Sequence, residues 1–201
     1  MQGFFCIFSK NVAKRTQIRY NEIISKGGDN NARKEYGTKK MKYSLIENLT
    51  DVNGNLIESF DKVTVRNGGN DFQELHFRDA LIHDLTKDLA FDVMGAEPCI
   101  LFVNGEFWGF YMIREKTDGE YIESHYGIPK EDVAVIKNSD IEEGTEDDLE
   151  EFRNFCLWAA SADMTDAANY KKLCDSMDIQ SLMDYVTVET YINNNDWANG
   201  S

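Results

Sequence analysis

The spacing of hydrophobic and polar positions changes period several times along this chain, and each change marks an element. Over residues 1–31 no clean helical or strand period is legible before the glycine-rich break Gly27-Gly28-Asp29-Asn30-Asn31. Beyond it, Lys42-Tyr43-Ser44-Leu45-Ile46 reads as a strand, Asp51 to Asn55 as a turn around Gly54, and Phe60 to Arg66 as a second strand with Val63 and Val65 alternating. From Phe77 to Leu89, the residues Leu81, Ile82, Leu85 and Leu89 recur at helical spacings, which predicts a helix packed on the sheet through one buried stripe. Pro98 to Val103 is a continuous apolar strand, Asn104-Gly105 is a two-residue hairpin turn, and Glu106 to Arg114 returns as an aromatic strand. Asp118 to Tyr126 reads as a short helix ended by Gly127, Val133 to Ile136 as a strand, and Asp147 to Ala160 and Ser181 to Ile192 as longer helices. The order of strands, helix, hairpin and then mainly helices predicts an α+β protein with a sheet-rich front lobe and a helical rear lobe.

Composition narrows the partners. At 201 residues, 42% hydrophobic and 12% aromatic, the chain can bury one core of ordinary size or divide it between two lobes. The 36 acidic and 21 basic residues give a net charge of -15, which repels nucleic acid and anionic membrane over most of the surface. That charge is uneven: the first 43 residues are basic, while Glu142 to Glu151 is a dense acidic run, read either as a solvated loop opening a helix or as a cation or partner site. Cys6, Cys99, Cys156 and Cys174 show no Cys-x-x-Cys pair and read as buried free thiols, while His76, His83 and His125 show no ligand spacing. No window reaches the roughly 18 apolar residues of a membrane span, and Phe4-Phe5-Cys6-Ile7-Phe8 is too short for a secretory signal core.

Four blocks carry a resemblance. They are Val65-Arg66-Asn67-Gly68-Gly69-Asn70-Asp71 followed by Arg78-Asp79; Leu101 to Tyr111 with Asn104-Gly105 at its turn; Arg114-Glu115-Lys116 with Tyr121-Ile122 and His125-Tyr126-Gly127; and Tyr191-Ile192-Asn193-Asn194-Asn195-Asp196-Trp197. In this order they resemble the spore-coat protein H (CotH) kinase family of atypical ATP-dependent protein kinases. The resemblance runs from about Ala32 to the end and implies an atypical protein-kinase-like fold, a sheet-rich N-lobe plus the beginning of a helical C-lobe. Residues 1–31 stay unassigned, outside the expected domain.

Phosphoryl transfer needs a carboxylate at the acceptor, cations on the phosphate oxygens and ligands for magnesium. By the resemblance Asp196 is the catalytic aspartate, which orients the substrate hydroxyl and accepts its proton, although an Asp after an Asn-rich helix end is also a common cap or turn residue. Arg66, Arg78 and Asp79 surround the Asn-Gly-Gly-Asn loop. There the glycines admit a ligand and the arginines pair with phosphate, or the glycines supply a turn and Arg78-Asp79 caps the helix. Glu115 is a nucleotide-site candidate at the implied hinge, or half of a surface ion pair with Lys116. Phe107, Trp108, Phe110 and Tyr111 read as core and sheet packing rather than a stacking platform.

The family begins with an Arg-Gly-Asn-Ser segment and a Lys-Lys-Ser strand that residues 1–31 do not match, so no phosphate-gripping lysine is assigned. Beyond the catalytic loop the family continues to a metal-binding aspartate, and Asn199 stands only near its metal-ligating Asn. The expectation is an incomplete copy of the domain over residues 32–201, inactive as written. The resemblance implies that the intact domain transfers phosphate from ATP, with Mg2+, to Ser or Thr of spore-coat or cell-surface proteins. The alternatives are a non-catalytic assembly module of such a coat or surface, and a carbohydrate-associated surface protein.

Overall fold

The computed structural model describes residues 3–9, 16–20, 41–137 and 140–194, with side chains from residue 41 onward. Nine strands and five α-helices lie among the described residues, an α+β mixture of small antiparallel sheets. They divide between two units.

One unit contains residues 41–85 and 93–126. Its elements are β3 (Met41–Lys42), β4 (Ser59–Phe60), β5 (Val63–Arg66), α1 (Arg78–Thr86), β6 (Ala96–Val103), β7 (Glu106–Glu115) and α2 (Gly119–Tyr126). Asn104 and Gly105 take φ of 52° and 83°, the left-handed pair that a type I′ turn requires, and β6 and β7 fold back on each other across them. The ten-residue β7 is central, pairing with β6 on one edge and β5 on the other. Successive side chains on a strand point to opposite faces. Arg114 therefore faces α1, where Asp79 meets it, and Glu115 faces α2, where His125 meets it. On the α2 side a small core gathers Ile46, Ile57 and Phe60, flanked by Leu45, Leu49 and Val63. The Asp118 carboxylate caps α2, accepting from the Glu120 and Tyr121 N–H groups at 3.1 and 3.2 Å and from Lys62 Nζ at 3.1 Å.

The other unit contains β1 (Gly3–Ser9), β2 (Thr16–Tyr20), residues 86–92, β8 (Val133–Lys137), β9 (Asp140–Glu143), α3 (Glu146–Ser161), α4 (Ala167–Ser176) and α5 (Ile179–Tyr191). Its sheet is antiparallel in the order β2-β1-β8-β9. Val133, Ala134, Val135 and Ile136 are all buried, and an apolar run without polar alternation suits a strand covered on both faces. Helix α3 opens with a capping box: Thr145 Oγ1 accepts the Asp148 N–H, and the Asp148 carboxylate accepts the Thr145 N–H at 2.8 Å. Asp166 and Asp178 cap α4 and α5 through backbone N–H groups. The Tyr185 ring on α5 meets Phe91 edge-on at 5.8 Å, and Asp184 accepts the Ala90 N–H at 2.9 Å.

Several elements depart from the pattern-based reading. The expected strand from Lys42 to Ile46 ends at Lys42, because Leu45 and Ile46 turn into the small core. The strand from Phe60 to Arg66 breaks at Asp61 and Lys62, where Lys62 reaches Asp118. Helix α1 is shorter than Phe77 to Leu89, and Leu81, Leu85 and Leu89 are exposed. The residues that tie it to its neighbours are polar: Asp79 to the sheet and His83 to Met94. Residues 3–20, where no strand period is legible, supply β1 and β2, and β1 pairs with β8, so the second unit is not purely helical. Strand β9 and helix α4 were not anticipated. Cys156 and Cys174 are exposed rather than buried, since they sit on solvent-facing positions of α3 and α4; Cys99 is half-buried. Phe107, Trp108 and Phe110 are exposed around the hairpin end rather than in a core.

The acidic run from Glu142 to Glu151 resolves into the end of β9, a turn at Gly144 and the first turns of α3. There Glu146, Asp147 and Asp148 lie against the positive end of the helix dipole. Asp148→Ala removes both the carboxylate half of the box and a buried acceptor. We expect it to cost about 1–2 kcal/mol in urea denaturation, with faster amide exchange confined to the first turn of α3.

Candidate functional site

The loop between β5 and α1 is built from short polar links. Asn67 Oδ1 accepts the Gly69 N–H at 3.1 Å. Gly68 has φ of 92°, and a Cβ there would meet the His76 backbone at 3.0 Å; one on Gly69 would meet the Arg66 guanidinium at 2.8 Å. The space that the two glycines leave is thus taken by the chain itself. Asp71, buried, accepts the Leu75 and Arg78 N–H groups at 3.2 and 3.0 Å and faces the Arg78 guanidinium at 3.2 Å. Burial works to raise its pKa, but the N–H groups of Arg78 and Leu75 and the Arg78 charge outweigh it, holding the carboxyl below the usual carboxylate range. Arg78 also pairs with Glu74. Asp71, rather than Arg78-Asp79, is therefore what anchors the start of α1.

Asp79 projects from the first turn of α1 between two strands. Its Oδ2 accepts from Arg66 of β5 at 2.6 Å and from Arg114 of β7 at 3.3 Å. A small cavity of ≈ 10 Å³, open to solvent, is lined by Arg66, Gly68, His76, Arg78, Asp79 and Arg114 among others. The structure thus brings Arg66, Arg78 and Asp79 together. Arg114, for which the sequence suggested no role, joins them; the signal available was a cation set within an otherwise apolar and aromatic strand.

Glu115 lies on the opposite face of β7. Its carboxylate, 5% exposed, accepts from His125 Nε2–H at 2.8 Å and from the Gly95 N–H at 2.9 Å. His125 stacks on Tyr121 with ring centroids 4.1 Å apart, and Tyr121 O–H donates to the Val93 carbonyl at 2.9 Å. Neither the His125 nor the Asp71 role was read from the sequence. Asp196 and Asn199 lie outside the described residues.

His83, one turn beyond Asp79, accepts the Met94 N–H at its Nδ1, 2.8 Å away. Burial, aided by the Arg114 charge and opposed by Asp79, pushes this ring down to about 3. Above the ordinary histidine value of about 6.5 the group is neutral in both states and its contribution is full. As pH falls from there toward about 3, the unfolded chain takes up the proton first and stability drops. Urea denaturation across pH 7.5 to 5 should show this slope, and His83→Gln should flatten it by up to about one proton while lowering stability at neutral pH. Glu115→Ala would strand the His125 and Gly95 donors, so we expect a loss of about 3 kcal/mol, with about half of it absent in a His125→Ala background, where only the Gly95 N–H is left to strand.

Among the described residues no group of three or more His, Cys, Asp or Glu side chains is placed to hold a metal ion, and no helix is long and apolar enough to cross a membrane. No curated protein and no solved structure matches the chain. The model of one family, described as CotH kinase protein, matches residues 28–201, from before the glycine loop through both units. With that match spanning most of its length, the chain belongs to the CotH kinase family.

Proposed function

We propose that this chain serves ATP-dependent phosphoryl transfer to Ser or Thr hydroxyls of a coat or cell-surface protein. What supports the reading is its family membership over residues 28–201 and the ion cluster in which a helix carboxylate, Asp79, holds arginines from two strands. A helix carboxylate that fixes a strand cation beside the phosphates is a recurring device of phosphotransfer sites.

In this reading Asp196 orients the acceptor hydroxyl and takes its proton as that oxygen bonds to the γ-phosphorus and the bond to the β-phosphate oxygen breaks, releasing ADP. ATP supplies the phosphoryl group, and Mg2+ would spread the charge of its phosphate oxygens. Among the described residues no three His, Cys, Asp or Glu side chains converge on such an ion. Arg66 and Arg78 face the phosphates, and Glu115, held by His125 and the Gly95 N–H, steadies the end of β7.

A second reading is favoured by one observation: the space at Gly68 and Gly69 and the oxygens of Glu115 are already taken up by internal contacts. On that reading the domain is a non-catalytic assembly module of a coat or surface.

Calorimetry with ATP in the presence of Mg2+ or EDTA, followed by labelled phosphate transfer to a Ser/Thr-rich surface protein, separates the two. The catalytic reading expects Mg2+-dependent binding, and a drop in transfer of about 100-fold or more in Asp196→Asn with ATP affinity within about threefold. Absence of nucleotide binding, alongside ATP-independent capture of a coat or surface partner, would replace it with the assembly module.

A further inference from the structure

Strand β6 lies at the edge of its sheet: β7 pairs with it on one side, and among the described residues no strand pairs with it on the other. Which of its backbone groups face outward follows from the register. The Glu115 N–H donates to the Gly95 carbonyl at 3.2 Å, and hydrogen-bonded pairs alternate along an antiparallel ladder. Glu97 opposite Ile113, Cys99 opposite Tyr111 and Leu101 opposite Gly109 are therefore the bonded pairs, and Ala96, Pro98, Ile100 and Phe102 turn their backbone groups away from β7. Pro98, with no N–H to donate, stands at one of these outward positions, where an edge strand tolerates it. The side chains of Ile100 and Phe102 are 61% and 58% exposed. They continue into an apolar row on the same face: Phe102 meets Phe107 edge-on at 5.8 Å, and Ile100 lies opposite Phe110.

An open apolar edge is a template for another strand, and edges that stay single are blunted by lysines, inward charges or bulges. This edge carries neither charge nor bulge. From Pro98 to Ile113 the sole charged residue is Glu106, past the turn, in a chain that is 28% charged. The one register shift of the hairpin places its extra residue, Trp108, on β7 and leaves β6 regular.

We propose that β6 pairs with β6 of a second copy of this chain, antiparallel about a two-fold axis at Ile100, so that two three-stranded sheets join into one. In that register each Ile100 N–H donates to the partner's Ile100 carbonyl, and each Phe102 N–H donates to the partner's Pro98 carbonyl. Every outward donor from Pro98 to Phe102 is then used, and the N–H that Pro98 lacks falls opposite a Phe102 carbonyl left to water. The edge is thus self-complementary, as a two-fold contact requires. Charge selects a second copy over an unrelated strand. Two chains of -15 repel each other wherever their surfaces are acidic, so they can meet only along an uncharged stretch such as this one. A basic partner, which the acidic surface elsewhere attracts, finds no carboxylate along the edge. The pairing holds whether or not the domain transfers phosphate.

The whole chain is followed by sedimentation velocity from about 1 to 300 μM, the range in which a small interface dissociates, at low and high salt. Hydrogen exchange is read at the Ile100 and Phe102 amides in the same samples. We expect a concentration-dependent dimer that tightens several-fold as salt screens the net charge, with both amides exchanging slowly in the dimer and fast in the dilute chain. Ile100→Lys sets two charges face to face at the axis and should weaken the dimer about tenfold or more, while the exposed side chain leaves the melting temperature of the dilute chain unchanged. Leu157→Lys, at an apolar position of α3 that is 70% exposed, should leave the dimer intact. A chain that stays single throughout, or a dimer that Ile100→Lys spares or that Leu157→Lys weakens equally, overturns the proposal. Slow exchange of the Ile100 and Phe102 amides in the single chain overturns it as well, because the edge is then covered from within.

Discussion

The first unit depends on two consecutive residues of its central strand. Arg114 and Glu115 are both buried, carry opposite charge and point to opposite faces of β7, and each must find partners away from water or the strand cannot stay where it is. Arg114 takes Asp79, which ties α1 to the sheet and brings Arg66 of β5 into the same cluster. Glu115 takes His125 and the Gly95 N–H, which tie α2 and the start of β6 to the other face. Two helices and both neighbouring strands are thus placed by one dipeptide, beside a small apolar cluster around Ile46, Ile57 and Phe60 and the buried Met94, Met112, Tyr121 and Ile122.

What the sequence made legible was local. The hairpin was readable because Asn104-Gly105 encodes its turn in two residues, and α2, α3 and α5 were readable as helices, although the Thr145-Asp148 box and the Asp178 cap that open α3 and α5 lie just before the starts read at Asp147 and Ser181. The failures were long-range. The leucines between Leu81 and Leu89 have helical spacing but stay exposed; α1 is held by Asp79 and His83, which a hydrophobic count ignores. Strands β1 and β2 follow no alternation, and the pairing of β1 with a segment more than a hundred positions away is set by β8, whose buried run needs an antiparallel neighbour.

The candidate site divides the same way. The glycine loop and the arginines were visible as residue types at close spacing, and the structure does gather Arg66, Arg78 and Asp79 around one pocket. Which of these groups serve the fold was not visible, because that depends on what each side chain faces. Asp71 reads as one more polar loop residue, yet it is the buried anchor of α1. Gly68 and Gly69 read as room for a ligand, yet the His76 backbone and the Arg66 side chain use that room. A motif that marks a family can thus record a folding requirement at some positions and chemistry at others, and only the partners of each atom separate them.

The opposed charges of β7 also bear on how its strand finds its alignment. A slip of one residue against β5 and β6 would turn every side chain of the strand to the other face. A slip in one direction would carry Glu115 to the place of Arg114, against Asp79, and a slip in the other would carry Arg114 to the Gly95 and His125 donors. At the aromatic end the Asn104-Gly105 turn fixes the register, and the charged pair guards the opposite end. The Arg114-Glu115 pair acts as a registration pin, excluding misaligned hairpins during folding as firmly as it fixes the finished sheet.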